Sequence, residues 1–265
     1  MNESTTADPL SDLEPFPLLK RCFEPYVRWF LQNAERDWEQ HDVVSMLVER
    51  DTDRLERIET LLSQSQSILG IDGKEFARVF GFNDDLHSKD AEKIHDILAE
   101  PLFVIDLDRN GFTDIKKLPP FIKRGGQKTP NSDFTATRTN YKFAIELKTI
   151  RMEAKPKPKP GELLGDATKP SWWLEMFRNN ALAKINAKNQ RALHQLKNAA
   201  NYYKCEKKML VLYTRRIGPS ALMDRQDYQR ELEFIKLSYP ELDIVASKDY
   251  FGEVVFYPHL DNKKP

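Results

Sequence analysis

Between Pro130 and Ile150 the chain reads PNSDFTATRTNYKFAIELKTI, and no other stretch restricts the fold as tightly. Phe143, Ile145 and Leu147 alternate with Ala144, Glu146 and Lys148, the period of two with which a β-strand buries one face and turns the other outward. Just before it, Thr139 and Asn140 supply turn chemistry between two strand-like runs. A two-residue loop there sets Arg138 against Tyr141. Counting back pair by pair then brings Asp133 opposite Glu146, with β-carbons about 5 Å apart. Lys148 points to the same side, two residues further on.

Two carboxylates at that distance repel each other unless a cation or a proton compensates them, so the pairing predicts a metal site rather than an arbitrary surface. The donor set is oxygen only, which suits Mg²⁺, with Mn²⁺ as its substitute. A metal there would polarise a scissile phosphate and acidify an attacking water, while Lys148 orients that water or offsets charge in the transition state. A solvent-facing strand edge is the plainer reading of the same residues, since an E-x-K triplet alone is common.

Ser132-Asp133, followed by Glu146-Leu147-Lys148, resembles the PD-(D/E)XK signature of the restriction-endonuclease-like nucleases over about residues 88–215. Ser132 stands where that signature names proline, and Pro130 lies two residues earlier. The resemblance implies an α/β fold with a restriction-endonuclease-like mixed sheet flanked by helices. It also implies a Mg²⁺-dependent nuclease that hydrolyses phosphodiester bonds, in DNA rather than RNA. Asp133 and Glu146 would be the metal ligands and Lys148 the catalytic lysine. The family often adds an acidic residue from a helix before the first strand; Glu100 occupies such a place, with Glu92 as the alternative and a salt-bridged surface glutamate as the third reading. A module of the same fold that binds nucleic acid without cutting it is the competing function, and a protein-interaction component is a third. A homodimer is compatible with enzymes that make two cuts, although no segment declares an interface.

The flanks divide the chain into a helical accessory region, 1–87, and the nuclease-like α/β domain, 88–265. Phe16, Leu19, Phe23, Tyr26 and Phe30 recur at helical spacing behind Pro15, and further helices are predicted over 42–62, 74–80 and 88–99. The segment 102–107 is either the end of the last of these or a strand. The net charge of zero conceals an asymmetry: residues 1–100 carry 22 acidic and 11 basic side chains, and residues 101–265 carry 19 and 30. The basic half is consistent with a polyanion, and the acidic half is read as covering part of its surface.

Beyond the hairpin, the run KPKPKP is read as an exposed loop that lets Lys155, Lys157 and Lys159 meet phosphates. Trp172 or Trp173 is read as capping the core or stacking on a base. A long helix over 181–204 carries Lys184, Lys188, Arg191 and Gln195 on one face, a ridge that would face nucleic acid. Gln190, Arg191 and Gln195 also match the place where related nucleases carry a lysine or glutamine. Strands are predicted over 209–214, 242–246 and 253–257, with a helix over 224–237.

Several classes are excluded. There is no Walker-type phosphate loop for ATP hydrolysis, and the five histidines and two cysteines lack zinc-binding spacing. No run approaches the roughly 18 apolar residues of a membrane span, and the polar start MNESTTADP has no signal-peptide core, so a cytoplasmic protein with no membrane partner is expected.

Overall fold

The computed structural model describes residues 9–32, 46–47, 49–82, 91–124, 127–151, 170–215, 225–249 and 254–260. The chain divides into two units, Met1–Asp108 and Arg109–Pro265. The sequence reading put this division before residue 88; the helix bearing Glu92 and Glu100 falls in the first unit.

That unit is helical: a 3-10 turn at Pro9–Leu13, then α1 (Pro17–Gln32), α2 (Thr52–Leu69), α3 (Gly73–Val79) and α4 (Ala91–Arg109). Pro17, not Pro15, opens α1. The amides of Leu18 and Leu19, which a helix start leaves without partners, donate to the Glu59 carboxylate of α2 at 3.1 and 2.6 Å. Helix α2 begins later than the predicted residue 42 and runs through the 63–67 polar cluster taken as its end. Its limits are chemical: Asp51 accepts from the Arg54 amide at 3.1 Å, and Gly70 takes the left-handed conformation, φ 64°. Serine and glutamine cost a helix only a few tenths of a kcal/mol each, so they do not end one. Helix α4 passes through Pro101, which resolves 102–107 as helix. An internal proline costs about 3 kcal/mol, less than the roughly 4.5–9 kcal/mol gained by burying Phe103, Val104 and Leu107 together.

The second unit contains β1 (Thr113–Lys117), β2 (Phe121–Arg124), β3 (Gln127–Pro130), β4 (Phe134–Arg138), β5 (Tyr141–Arg151), α5 (Pro170–Tyr203), β6 (Lys207–Arg215), α6 (Arg225–Ser238), β7 (Ile244–Asp249) and β8 (Val255–Tyr257). Six strands form one sheet in the order β1-β4-β5-β6-β7-β8. Its β1, β4 and β5 are antiparallel, β5, β6 and β7 parallel, and β8 antiparallel again. The fold is thus mixed α/β, with a mostly open mixed sheet flanked by helices. Each parallel step needs a crossover, which α5 and α6 supply. The hairpin β2–β3 is a separate two-stranded sheet that the sequence did not announce.

The crossover helices overturn one expectation. Ala144, Ile150, Leu210, Leu212 and Val245 pack against Phe177, Ile185 and Leu196 of α5 and Leu232 and Ile235 of α6. The face of β5 that carries Glu146 and Lys148 is therefore covered by helices rather than open to solvent. Phe143, Ile145 and Leu147 are buried as well, so β5 is a central strand buried on both faces. Helix α5 starts at Pro170, well ahead of the predicted residue 181. Among the described residues no helix is long and apolar enough to cross a membrane.

Candidate active site at the β4–β5 hairpin

The hairpin follows the register expected from its two-residue loop: Arg138 pairs with Tyr141, Ala136 with Phe143 and Phe134 with Ile145. Thr139 and Asn140 take φ values of 48° and 66°, both left-handed, as a tight hairpin turn requires. The regular ladder stops one pair short of Asp133. Both the Phe134 pairing and the Asp133 amide, at 3.0 Å, fall on Ile145. Asp133 is then held through its side chain, whose Oδ2 accepts the Leu147 N–H at 2.8 Å in place of a backbone carbonyl. The carboxylate is oriented by that bond and by Lys117, whose Nζ lies 3.4 Å from Oδ1 and 4.8 Å above the Phe134 ring.

Glu146 is 1% exposed. Its Oε1 accepts from Lys148 Nζ, while Oε2 is buried with no hydrogen-bond partner. Burial, and then the negative field of Asp133, push its carboxyl well above the usual glutamate range, only partly countered by Lys148 and Lys117. Lys148 also donates to Gln195 Oε1 at 3.2 Å, and Gln195 Nε2 donates to the Asn131 carbonyl at 2.7 Å. Asn131 in turn donates to the Pro119 carbonyl at 2.9 Å and Tyr203 Oη at 3.1 Å, and accepts from the Ser132 amide at 3.0 Å. Beside it, Ser132 Oγ is a second buried oxygen with no partner. A chain of polar contacts thus runs from β5 through α5 to the loop that carries Asp133.

Four of the residues singled out in the sequence, Asp133, Glu146, Lys148 and Gln195, are in this one cluster. Gln195 joins it by leaving the basic ridge: Lys184 and Arg191 on the same helical face are exposed, whereas Gln195 is 8% exposed. The long helix carries one stripe past open space first and under the Pro130–Asn131 loop later, where Asn198 Nδ2 also donates to the Pro130 carbonyl at 3.3 Å. Lys188 lies on α5 and Glu92 on α4, their side chains outside the described ones, as are those of Trp172 and Trp173. Lys155, Lys157 and Lys159 lie outside the described residues altogether. Glu100 is half-buried on α4 in the first unit. Sequence reasoning missed Lys117 and Asn131. The signal for Lys117 is its register opposite Phe134, which appears only once β1 is paired to β4.

Asp133 and Glu146 would hold a hard divalent cation. The partnerless Glu146 Oε2 is a carboxylate oxygen kept dry and uncommitted, and all the donors are oxygens, as Mg²⁺ prefers. Among the described residues no group of three or more His, Cys, Asp and Glu side chains converges for metal binding. The two cysteines are free, and burial raises both thiols, that of Cys205 to about 11. No family model matches the chain, and no curated protein or solved structure matches it.

Proposed function

We propose that this chain is a metal-dependent nuclease of the restriction-endonuclease-like kind, hydrolysing phosphodiester bonds in DNA. The observation that carries the reading is the uncommitted oxygen of buried Glu146, set among Asp133, Lys148 and Gln195. Removing a carboxylate from water without satisfying it costs several kcal/mol, and a binding role accounts for that cost.

Asp133 and Glu146 would hold Mg²⁺, with Mn²⁺ as its substitute; a bound divalent cation supplies Lewis-acid polarisation of the scissile phosphate. The remaining work falls to the chain. Lys148, steered by Glu146 and Gln195, donates a hydrogen bond to the incoming water and offsets the charge that builds on the phosphate oxygens. Water adds to phosphorus and releases a proton to solvent as the bond to the leaving oxygen breaks, and that oxygen takes a proton from solvent. Lys117 keeps the Asp133 carboxylate aimed by lying against Oδ1.

The test is a cleavage panel of single-stranded, duplex and junction DNA, with RNA as comparison, in Mg²⁺ or Mn²⁺. Cleavage is expected to vanish on chelation and in folded Asp133→Ala and Lys148→Ala proteins. Calorimetry is expected to detect metal binding to the wild-type chain and its loss in Asp133→Ala. Absence of both cleavage and metal binding would sink the reading; binding of nucleic acid without cleavage would assign the fold to a binding module instead.

A further inference from the structure

From Lys116 to Ser132 the chain carries five cationic side chains and no acidic one. Most of this segment is the β2–β3 hairpin, where Lys123 and Lys128 are directly opposed and both exposed. Like charges opposite each other destabilise a hairpin, and an isolated two-stranded sheet is marginal to begin with. Some exposed cations elsewhere are matched within the fold: Arg28 to Glu24, Arg78 to Glu75, Lys207 to Asp243. Among the described residues Lys123 and Lys128 have no carboxylate partner. A polyanion bound from outside would relieve their mutual repulsion.

Phe121 lies two residues before Lys123, on the same side of its strand, and is 43% exposed. Ile122, pointing the other way, is buried and anchors the hairpin. One outward face thus presents two opposed ammonium groups beside an aromatic ring. The base of the hairpin is tied to the candidate site. The Asn131 amide donates to the Pro120 carbonyl at 3.1 Å, and the Asn131 carbonyl holds Gln195, which holds Lys148. Lys128 precedes Asp133 by five residues, which limits their separation to about 17 Å.

We propose that the outward face of β2–β3 is a strand-holding platform for single-stranded nucleic acid. Lys123 and Lys128 take backbone phosphates, and Phe121 stacks under an unpaired base next to the Asp133–Glu146 site. A duplex offers phosphates but no free base face, so the aromatic ring distinguishes the two forms. The inference rests on the nuclease reading only for the direction in which the strand is led; the binding itself stands without catalysis.

The experiment is fluorescence anisotropy of the full-length chain with a labelled single-stranded oligonucleotide and its duplex, in chelator, across a salt series. With Lys123→Gln and Lys128→Gln together, the slope of log affinity against log salt for the single strand is expected to fall by about 1.4, two phosphate contacts' worth. Phe121→Ala is expected to weaken single-strand binding at least about fivefold and duplex binding less. Lys123→Arg with Lys128→Arg restores the wild-type slope if charge, not folding, is responsible; Lys74→Gln, in the first unit, leaves it unchanged. An unchanged slope in the double glutamine variant overturns the proposal, as does equal damage to both nucleic-acid forms by Phe121→Ala, or no binding by the wild type. Binding with these slopes but no cleavage in Mg²⁺ or Mn²⁺ keeps the platform and discards the nuclease.

Discussion

The molecule carries two antiparallel hairpins in succession, β2–β3 of two four-residue strands and β4–β5 of one five-residue and one eleven-residue strand, and they stand in opposite surroundings. In β4–β5 the strands join a six-stranded sheet, the turn is pinned by two left-handed residues, and a buried carboxylate acquires a raised affinity for protons. In β2–β3 the two strands stand alone, one isoleucine is buried, and two lysines face each other in solvent. Burial makes a side chain reactive by denying it water, and exposure makes it useful by leaving its charge for a partner. The difference teaches that hairpin chemistry is decided by what covers the hairpin more than by its own residues.

The division is sharpest in kinetics. Lys148→Ala is expected to lower kcat at least about 100-fold, the loss typical of one transition-state donor. Lys123→Ala is expected to raise KM and leave kcat within about threefold, since it removes binding shared by substrate and transition state. Steady-state cleavage rates decide this, and equal damage to kcat by both would erase the distinction.

Stability gives the next contrast. Gln195→Leu strips Lys148 of one acceptor and leaves the Asn131 carbonyl without its donor. The cost is expected at about 1–3 kcal/mol in urea denaturation, against less than about 0.5 kcal/mol for Lys123→Ala. Gln195 would belong with the exposed ridge after all if its loss were as mild.

The turn of the buried hairpin can be improved. Thr139 is β-branched and sits at φ 48°, where asparagine is more at ease. Thr139→Asn is expected to stabilise by about 0.5–1 kcal/mol, read from the urea midpoint, without changing cleavage.

The mildest effect is a pH slope. Glu146 has its carboxyl raised in the fold, so the native state holds a proton that the unfolded chain has released. Its contribution to stability is full below the ordinary glutamate range and is lost as pH rises from there towards the folded value. In chelator, the melting temperature of Glu146→Gln relative to wild type is therefore expected to increase from pH 5 to pH 8. A gap that is constant or narrows with pH would mean that Glu146 is ionised and satisfied.

Much of this was legible beforehand because it depended on local chemistry. The alternation through Phe143 to Lys148 marked a strand, and Thr139-Asn140 marked a two-residue loop whose length alone dictates the pairing. What escaped depended on distant residues. Nothing in the residues near Glu146 says that α5 will lie over it, so the face expected to be open is enclosed. Gln195 shares a helical stripe with Lys184 and Arg191, and only the Pro130–Asn131 loop separates their fates. The β2 and β3 strands, four residues each and with three cationic side chains and Pro130 among them, are too short to announce themselves. The 63–67 polar cluster misled for the converse reason: residues common in loops are tolerated in a helix whose ends are set by Asp51 and Gly70.

A two-residue loop also gives the hairpin something like a reading frame. One residue inserted beside Thr139 slides every pairing of β4 along β5 by one step, and because side chains alternate, each position on the sliding strand changes sides. The Asp133 carboxylate would then be carried away from Glu146 although every chemical group of the site remained in the chain. Replacing a site residue removes one function, whereas a change in length scrambles the assembly. A scan of single-residue insertions would therefore find its least tolerant point in a loop that holds none of the site's side chains.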